Sequence, residues 1–281
     1  MSMNEIPPLN AAAVLKRHGL RPDKGLGQNF LQDPFALERI IAAAQIQPTD
    51  TVLEIGPGLG SLTRYLAASA KEVIAVELDR NLLAPLQAVL TPYQNIRVIQ
   101  GDILKLSPDE LISHNDYLVV ANIPYYITSA VIRHLLESDT KPRRIILTIQ
   151  KEVAERICAK PGDLSLLALS VQIYGNPHIA ARIPAEAFFP VPKVDSAVLS
   201  IDIYPTPQIK TELLNTFFKL IKAGFSQKRK TLRNSLSAGL HITPVAAEEM
   251  LTKAKIDSKK RAETLSIEDW KRICETINLK G

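Results

Sequence analysis

Cysteine is nearly absent. Cys158 and Cys274 are the only two in 281 residues, far apart and in no zinc or redox spacing. A disulfide scaffold is therefore excluded, no metal site is expected, and both cysteines read as buried free thiols in a reducing cytosol. Long apolar runs are also missing, since none approaches the ~20 residues of a membrane span. The first apolar block, Ala11 to Leu15, is followed rather than preceded by Lys16 and Arg17, the wrong order for a signal peptide. There is no internal repeat and no low-complexity segment. These absences point to a cytoplasmic protein with no membrane partner, and a monomer is expected.

Apolar residues make up 46% of the chain, enough for one large core or two ordinary ones. The net charge of +5 is unevenly spread: from Thr206 onward fifteen Lys and Arg face eight Asp and Glu, so the tail carries +7 and the preceding residues −2. A near-neutral front and a basic back suggest a catalytic module joined to one that binds a polyanion.

Strand-like and helix-like stretches alternate through the front. The stretches at 51–55, 72–76, 95–100, 116–121 and 144–149 predict strands, those at 51–55 and 116–121 buried ones, and helices are expected between them. Asp33 followed by Pro34 marks one helix start. Further strands are expected at 164–174, 179–183 and 196–204. Two prolines in Tyr204-Pro205-Thr206-Pro207 place a domain boundary at 205/206. Beyond it, helices are expected at about 210–223, 228–238, 244–253 and 266–277. The fold class is α/β, a mostly parallel sheet covered on both faces, with a smaller all-helical C-terminal domain.

Four strand ends carry the chemistry. The run at 116–121 closes on Asn122-Ile123-Pro124-Tyr125, where Pro124 must stop the strand. An amide and a ring at the carboxyl end of a central strand could hold a flat, amine-bearing ring such as adenine. The first strand ends in Gly56-Pro57-Gly58-Leu59-Gly60, which allows close backbone approach to a ligand. The second ends at Glu77, where a carboxylate can accept both hydroxyls of a ribose. The third ends at Gly101-Asp102. A dinucleotide fingerprint would want Gly or Ala at Ser61; instead Glu54, Gly56, Gly58 and Gly60 form a Glu-x-Gly-x-Gly-x-Gly pattern similar to the first motif of S-adenosylmethionine-dependent methyltransferases. There Asp102 would suit the exocyclic amine of the cofactor's adenine.

Taken together, Lys24 to Leu31, Glu54 to Thr63, Glu77, Gly101-Asp102, Asn122 to Tyr126 and Phe188 to Ser196 resemble the ribosomal RNA adenine dimethyltransferases, most closely their bacterial small-subunit (16S) branch. Phe225 to Asn234 and Arg261 to Ser266 extend the resemblance into the tail, so it covers nearly everything after Arg21. It implies a Rossmann-like methyltransferase domain over 1–205 and a helical RNA-binding domain over 206–281. It implies transfer of methyl groups from S-adenosylmethionine to the N6 amines of two adjacent adenosines, in the loop of the 3′-terminal helix of 16S rRNA in the immature small subunit. Each amine would be methylated twice. Asn29, Leu31, Gly56, Gly58, Glu77, Asp102 and Asn122 would bind the cofactor. Asn122, Ile123, Pro124, Tyr125 and Phe189 would form the catalytic pocket. Lys228, Arg229, Lys230 and Arg233, expected within two turns of one helix, would meet RNA phosphates. Two departures stand out: Pro161-Gly162-Asp163-Leu164 lacks the family's usual Tyr-Gly pair, and Lys228-Arg229 stands where two arginines are usual. Lysine replaces a fork-shaped donor by a point charge there.

The chemistry asks little of a base. An adenine N6 lone pair is delocalised into its ring. Acceptors at the Asn122 side-chain oxygen and at a backbone carbonyl near Ile123 or Pro124 would favour a tetrahedral nitrogen. Tyr125 would stack on the base, and Phe189, or its neighbour Phe188, would close the other face. Two other readings are a large-subunit rRNA methyltransferase of the macrolide-resistance type, and an assembly factor that keeps the fold without required catalysis.

Overall fold

The computed structural model describes residues 6–278. The chain divides into two compact units. The first comprises residues 1–154 and 177–203, the second residues 155–176 and 204–281.

In the first unit the elements run α1 (Ala11–Arg17), β1 (Phe30–Leu31), α2 (Pro34–Ala44), β2 (Thr51–Ile55), α3 (Ser61–Ser69), β3 (Glu72–Glu77), α4 (Leu83–Leu90), β4 (Ile96–Gln100), α5 (Pro108–Leu111), β5 (Leu118–Asn122), α6 (Thr128–Glu137) and β6 (Arg144–Gln150). After α7 (Lys151–Ile157) and α8 (Leu166–Gln172) come β7 (Gly175–Ile183), β8 (Phe188–Phe189) and β9 (Ser196–Ile203). Seven strands form one sheet in the order β4-β3-β2-β5-β6-β9-β7. The five strands from β4 to β6 are mutually parallel, and β9 enters antiparallel to β6. The α/β class expected from the sequence is the class observed.

Burial explains why the central strands read as apolar runs. β2 is buried at every residue, and β5 at all but its last, because helices cover both faces. One core cluster lies under α2 and α3, with Leu37, Ile40, Tyr65 and Leu66 packed against Val52, Val120 and Val198. A smaller cluster joins Ala11 and Leu15 of α1 to Phe30, Leu59 and Leu82. Strand order reverses between β2 and β5: β3 and β4 extend to one side, β6 to the other. Beyond the carboxyl ends of strands at such a reversal an open α/β sheet leaves a crevice for a ligand.

The second unit contains α9 (Leu214–Gly224), α10 (Leu232–Leu240), α11 (Pro244–Lys253) and α12 (Ile267–Asn278). Its core stacks Phe225 on Trp270, with ring centroids 6.1 Å apart. Residues 155–176 pack here rather than with the sheet. The Gly162 and Leu164 N–H groups donate to the Glu263 carbonyl (2.9 and 3.3 Å), and Gln208 N–H donates to the Ile173 carbonyl (2.8 Å). So the helical unit is drawn from two stretches of chain, where the sequence suggested one boundary at 205/206.

Two expected elements are corrected. The strand expected at 164–174 is the helix α8: Ser165 caps it by accepting from Ala168 N–H (3.1 Å), and its Leu and Ala residues suit a helix better than a strand. The helix expected from 228 starts only at Leu232. Lys228, Arg229 and Lys230 lie in the preceding turn, closed by Lys230 N–H donating to the Gln227 carbonyl (3.0 Å).

Candidate active site

A cavity of about 280 Å³ opens at the carboxyl ends of β2, β3 and β5, and residues after β4 complete it. Its floor is the turn after β2. Gly56, Gly58 and Gly60 all have left-handed backbone, with φ of +69°, +58° and +84°. That geometry is the reason for glycine in this turn. At Gly58 space is limiting too: a Cβ there would meet the Phe30 ring at 3.1 Å.

Glu77 ends β3 and braces the turn. Its Oε2 accepts from Gly58 N–H (2.9 Å) and its Oε1 from Asp79 N–H (2.8 Å). Burial pushes its pKa up, and those two backbone donors work against the rise. Each oxygen retains a second lone pair for a ligand hydroxyl. Asp102 is half-buried and lines the same cavity, with Oδ1 accepting from Leu104 N–H (3.1 Å). Beneath them Glu54 is 1% exposed, and its Oε2 has no hydrogen-bond partner. Burial raises its pKa to about 8; the Thr63 side chain opposes that rise and the Glu77 charge adds to it.

Asn122 ends β5 on the other side. Its Nδ2 donates to the Asn29 carbonyl (3.2 Å), which turns Oδ1 into the free end of the amide. Asn29 in turn donates from Nδ2 to the Gly27 carbonyl (3.1 Å). Ile123 is buried, and Pro124 and Tyr125 are half-buried along the wall. Tyr125 Oη is hydrogen-bonded to Ser196 Oγ (2.8 Å), and burial raises its pKa. The neighbouring Tyr126 ring is 62% exposed at the cavity's edge.

The structure brings Asn29, Leu31, Gly56, Gly58, Glu77, Asp102 and Asn122 to Tyr125 around this one cavity. Phe189 is the exception. β8 pairs antiparallel with β1, Phe30 opposite Phe189 and Leu31 opposite Phe188. Phe188 lines the cavity, while Phe189 packs against the cluster beneath α1. Phe188 is thus the phenylalanine of the cavity wall. Sequence reasoning also gave no role to Gln28 and Ser196, whose partners Asp79 and Tyr125 lie far away in the chain.

In the helical unit the turn before α10 carries exposed Lys228, Arg229 and Lys230, followed by exposed Arg233. Leu232 N–H donates to the Lys260 carbonyl (2.7 Å) and Arg233 N–H to the Ser258 carbonyl (3.3 Å). These bonds set a second turn, with exposed Lys259, Lys260 and Arg261, alongside the first. That second cluster was visible as a charge run, but nothing in the sequence placed it beside the first.

The donor set fits S-adenosylmethionine. The glycine turn admits close approach, Glu77 and Asp102 offer acceptors to a ribose and an adenine amine, and Glu54 presents an unpaired oxygen beneath.

A family profile described as "Ribosomal RNA adenine dimethylase" matches residues 20–279. The protein "Ribosomal RNA small subunit methyltransferase A" of Dehalococcoides mccartyi (strain CBDB1) is 48% identical, over 95% of this chain and 93% of its own. Its namesake in Alkaliphilus metalliredigens (strain QYMF) is 40% identical, over 97% of each chain. Among solved structures, a dimethyladenosine transferase from Plasmodium falciparum is 28% identical with a TM-score of 0.76, covering 90% of this chain and 98% of that one. The 23S rRNA methyltransferase ErmE is 29% identical with a TM-score of 0.70, covering 89% of this chain and all of its own.

Proposed function

The chain belongs to the ribosomal RNA adenine dimethylase family, and from that membership we propose that it dimethylates the N6 amines of two adjacent adenosines in the 3′-terminal helix loop of 16S rRNA. Family membership makes it an S-adenosylmethionine-dependent methyltransferase of ribosomal RNA. The relatives at 40–48% identity carry the small-subunit name, which favours 16S over 23S rRNA as the substrate. We further propose that it acts on the immature small subunit, as a monomer, in the cytoplasm. Among the described residues no helix is long and apolar enough to cross a membrane.

The observation that carries the chemistry is Asn122. S-adenosylmethionine, when bound, supplies a methyl group already activated by its sulfonium. Glu77 would hold its ribose and Asp102 its adenine amine, while the Gly56 to Gly58 turn would admit the rest. Asn122 then presents Oδ1 to the target amine, because its Nδ2 is committed to the Asn29 carbonyl. Accepting one N–H there, with a backbone carbonyl near Ile123 or Pro124 accepting the other, pulls the nitrogen towards a tetrahedral shape. These acceptors strengthen as positive charge develops on that nitrogen. Tyr125 and Phe188 flank the base, which must be unpaired or flipped to enter. The two basic turns of the helical unit supply phosphate contacts.

The test is mass spectrometry of rRNA digests after incubating unmethylated small subunits and large subunits with labelled S-adenosylmethionine. Adjacent N6-dimethyladenosines in 16S rRNA are expected, and label confined to 23S rRNA would replace this reading by the large-subunit one. Asn122→Ala should lower turnover by about 10²–10³-fold, the scale of losing a preorganised polar contact to the reacting centre. If that variant still binds immature small subunits, the chain has an assembly role separable from catalysis.

A further inference from the structure

One polar side chain of the cavity wall has no part in the chemistry above. Gln28 precedes Asn29, and its amide is used at both ends. Nε2 donates to Asp79 Oδ2 (2.7 Å), and Oε1 accepts from Asp23 N–H (2.8 Å). Its backbone N–H donates to the Asp23 carbonyl (3.2 Å). Asp23 Oδ1 also accepts from Gly25 N–H (2.7 Å), so residues 23–28 close on themselves as one ring.

This ring touches both halves of the cavity. On the cofactor side Asp79 receives the Gln28 amide, and its own N–H donates to Glu77 Oε1. Asp79 Oδ1 is taken by Asn81 N–H (3.0 Å), so the carboxylate has little freedom to turn. On the acceptor side the Asn29 carbonyl orients Asn122. There Gly27 also lies against the residues that follow β5: a Cβ at Gly27 would stand 3.4 Å from both Pro124 Cβ and the Tyr126 ring. An unbroken path of hydrogen bonds and chain therefore runs from Gly58 through Glu77, Asp79, Gln28 and Asn29 to Asn122.

We propose that Gln28 is a positioning residue whose latch onto Asp79 couples the cofactor pocket to the acceptor pocket. It rests on the methyltransferase reading of the cavity. A ligand that orders Glu77 also orders Asp79, and through Gln28 the loop that sets Asn122. Without the latch the loop is held on the acceptor side only, and cofactor occupancy no longer biases the place of the target base.

The test measures two affinities in the full chain. S-adenosylhomocysteine binding is read by calorimetry. Binding of an RNA hairpin with two adjacent unpaired adenosines in its loop is read by fluorescence anisotropy, with and without saturating S-adenosylhomocysteine. In the wild type the hairpin should bind more tightly with S-adenosylhomocysteine present, by about fivefold or more, the range of ordinary site-to-site coupling. Gln28→Leu should weaken S-adenosylhomocysteine by about tenfold, the scale of one charge-assisted hydrogen bond, and bring the coupling close to one. Hairpin affinity without S-adenosylhomocysteine should not change. The reciprocal double variant Gln28→Glu/Asp79→Asn exchanges donor and acceptor across the same contact and should restore coupling that each single change removes. Should Gln28→Leu fail to fold, Asp79→Asn reports the same two quantities. Wild-type coupling in Gln28→Leu, or a double variant no better than its singles, overturns the proposal. A wild-type chain that binds no S-adenosylhomocysteine overturns the cofactor reading itself, a different and recognisable failure.

Discussion

Two side chains in the cavity carry their own tests. Glu54 is fully buried, and its pKa is raised from the ordinary 4.5 to about 8, mainly by desolvation. Between those values the folded chain keeps a proton that the unfolded chain has released. The unfolded state therefore binds fewer protons, and stability should fall as pH rises through this window and level off above it. Glu54→Gln keeps the shape of the neutral acid and removes the titration. Its melting temperature should match the wild type near pH 4 and exceed it at pH 8; parallel pH profiles would mean that Glu54 does not titrate there. The second test concerns Tyr125, whose ring is fixed by the bond from Oη to Ser196 Oγ. Tyr125→Phe and Ser196→Ala each break that bond and leave a stacking ring, so each should raise the KM for RNA by a few-fold with kcat less affected. The double variant should be no worse than either single one, because both remove one contact. Additive losses in methyl-transfer assays would deny the contact a role. The places of Glu77 and Asn122 at the cavity could be expected from the sequence, since each ends a mostly apolar strand. Ser196 could not be: its partner lies 71 positions away, and no local pattern reports such a distance.

At the scale of elements, the turn between β2 and α3 is where backbone conformation and packing coincide. Gly58→Ala forces a Cβ into left-handed backbone, a strain of roughly 1–2 kcal/mol, and against the Phe30 ring as well. The variant should melt lower by a comparable free energy and bind S-adenosylhomocysteine more weakly, both readable by calorimetry. Unchanged affinity would show that the turn tolerates the shift. The elements that the sequence revealed are those with one dominant signal. The five parallel strands are short, mostly apolar runs closed by Gly56, Glu77, Gly101, Asn122 or Gln150, so their carboxyl ends were as clear as their type. α8 was misread because Leu164 to Tyr174 is equally apolar but Leu- and Ala-rich, and length and apolarity outweighed the cap at Ser165. Phe188 and Phe189 show a different limit. Adjacent and alike in type, they are told apart only by what each packs against, and their partner strand β1 is remote in sequence.

At the scale of the whole molecule, charge and chain continuity make separate predictions. If the turns at 228–230 and 259–261 meet phosphates, RNA affinity should fall steeply with salt. Each lost contact should then reduce the slope of log K against log salt by about 0.7–0.9. Lys228→Ala and Lys260→Ala should each do so for the hairpin, while S-adenosylhomocysteine binding stays unchanged. Chain continuity gives the sharper test. A helical unit read as 206–281 would lack residues 155–176, and with them α8, which packs on α9. It would also leave the Glu263 carbonyl without its two donors and Gln208 N–H without the Ile173 carbonyl. Three lost hydrogen bonds, at about 0.5–1.5 kcal/mol net each, together with the lost packing of α8 on α9 are a large part of what holds a small domain folded. A fragment of 206–281 should therefore show no cooperative melt. Joining 155–176 to 204–281 should restore one, and a short glycine linker suffices because Tyr204 N–H already donates to the Tyr174 carbonyl (2.8 Å). Circular dichroism on the two fragments decides the matter: a cooperative transition in the shorter one would mean that the tail folds on its own residues, and that 155–176 is only a guest on its surface.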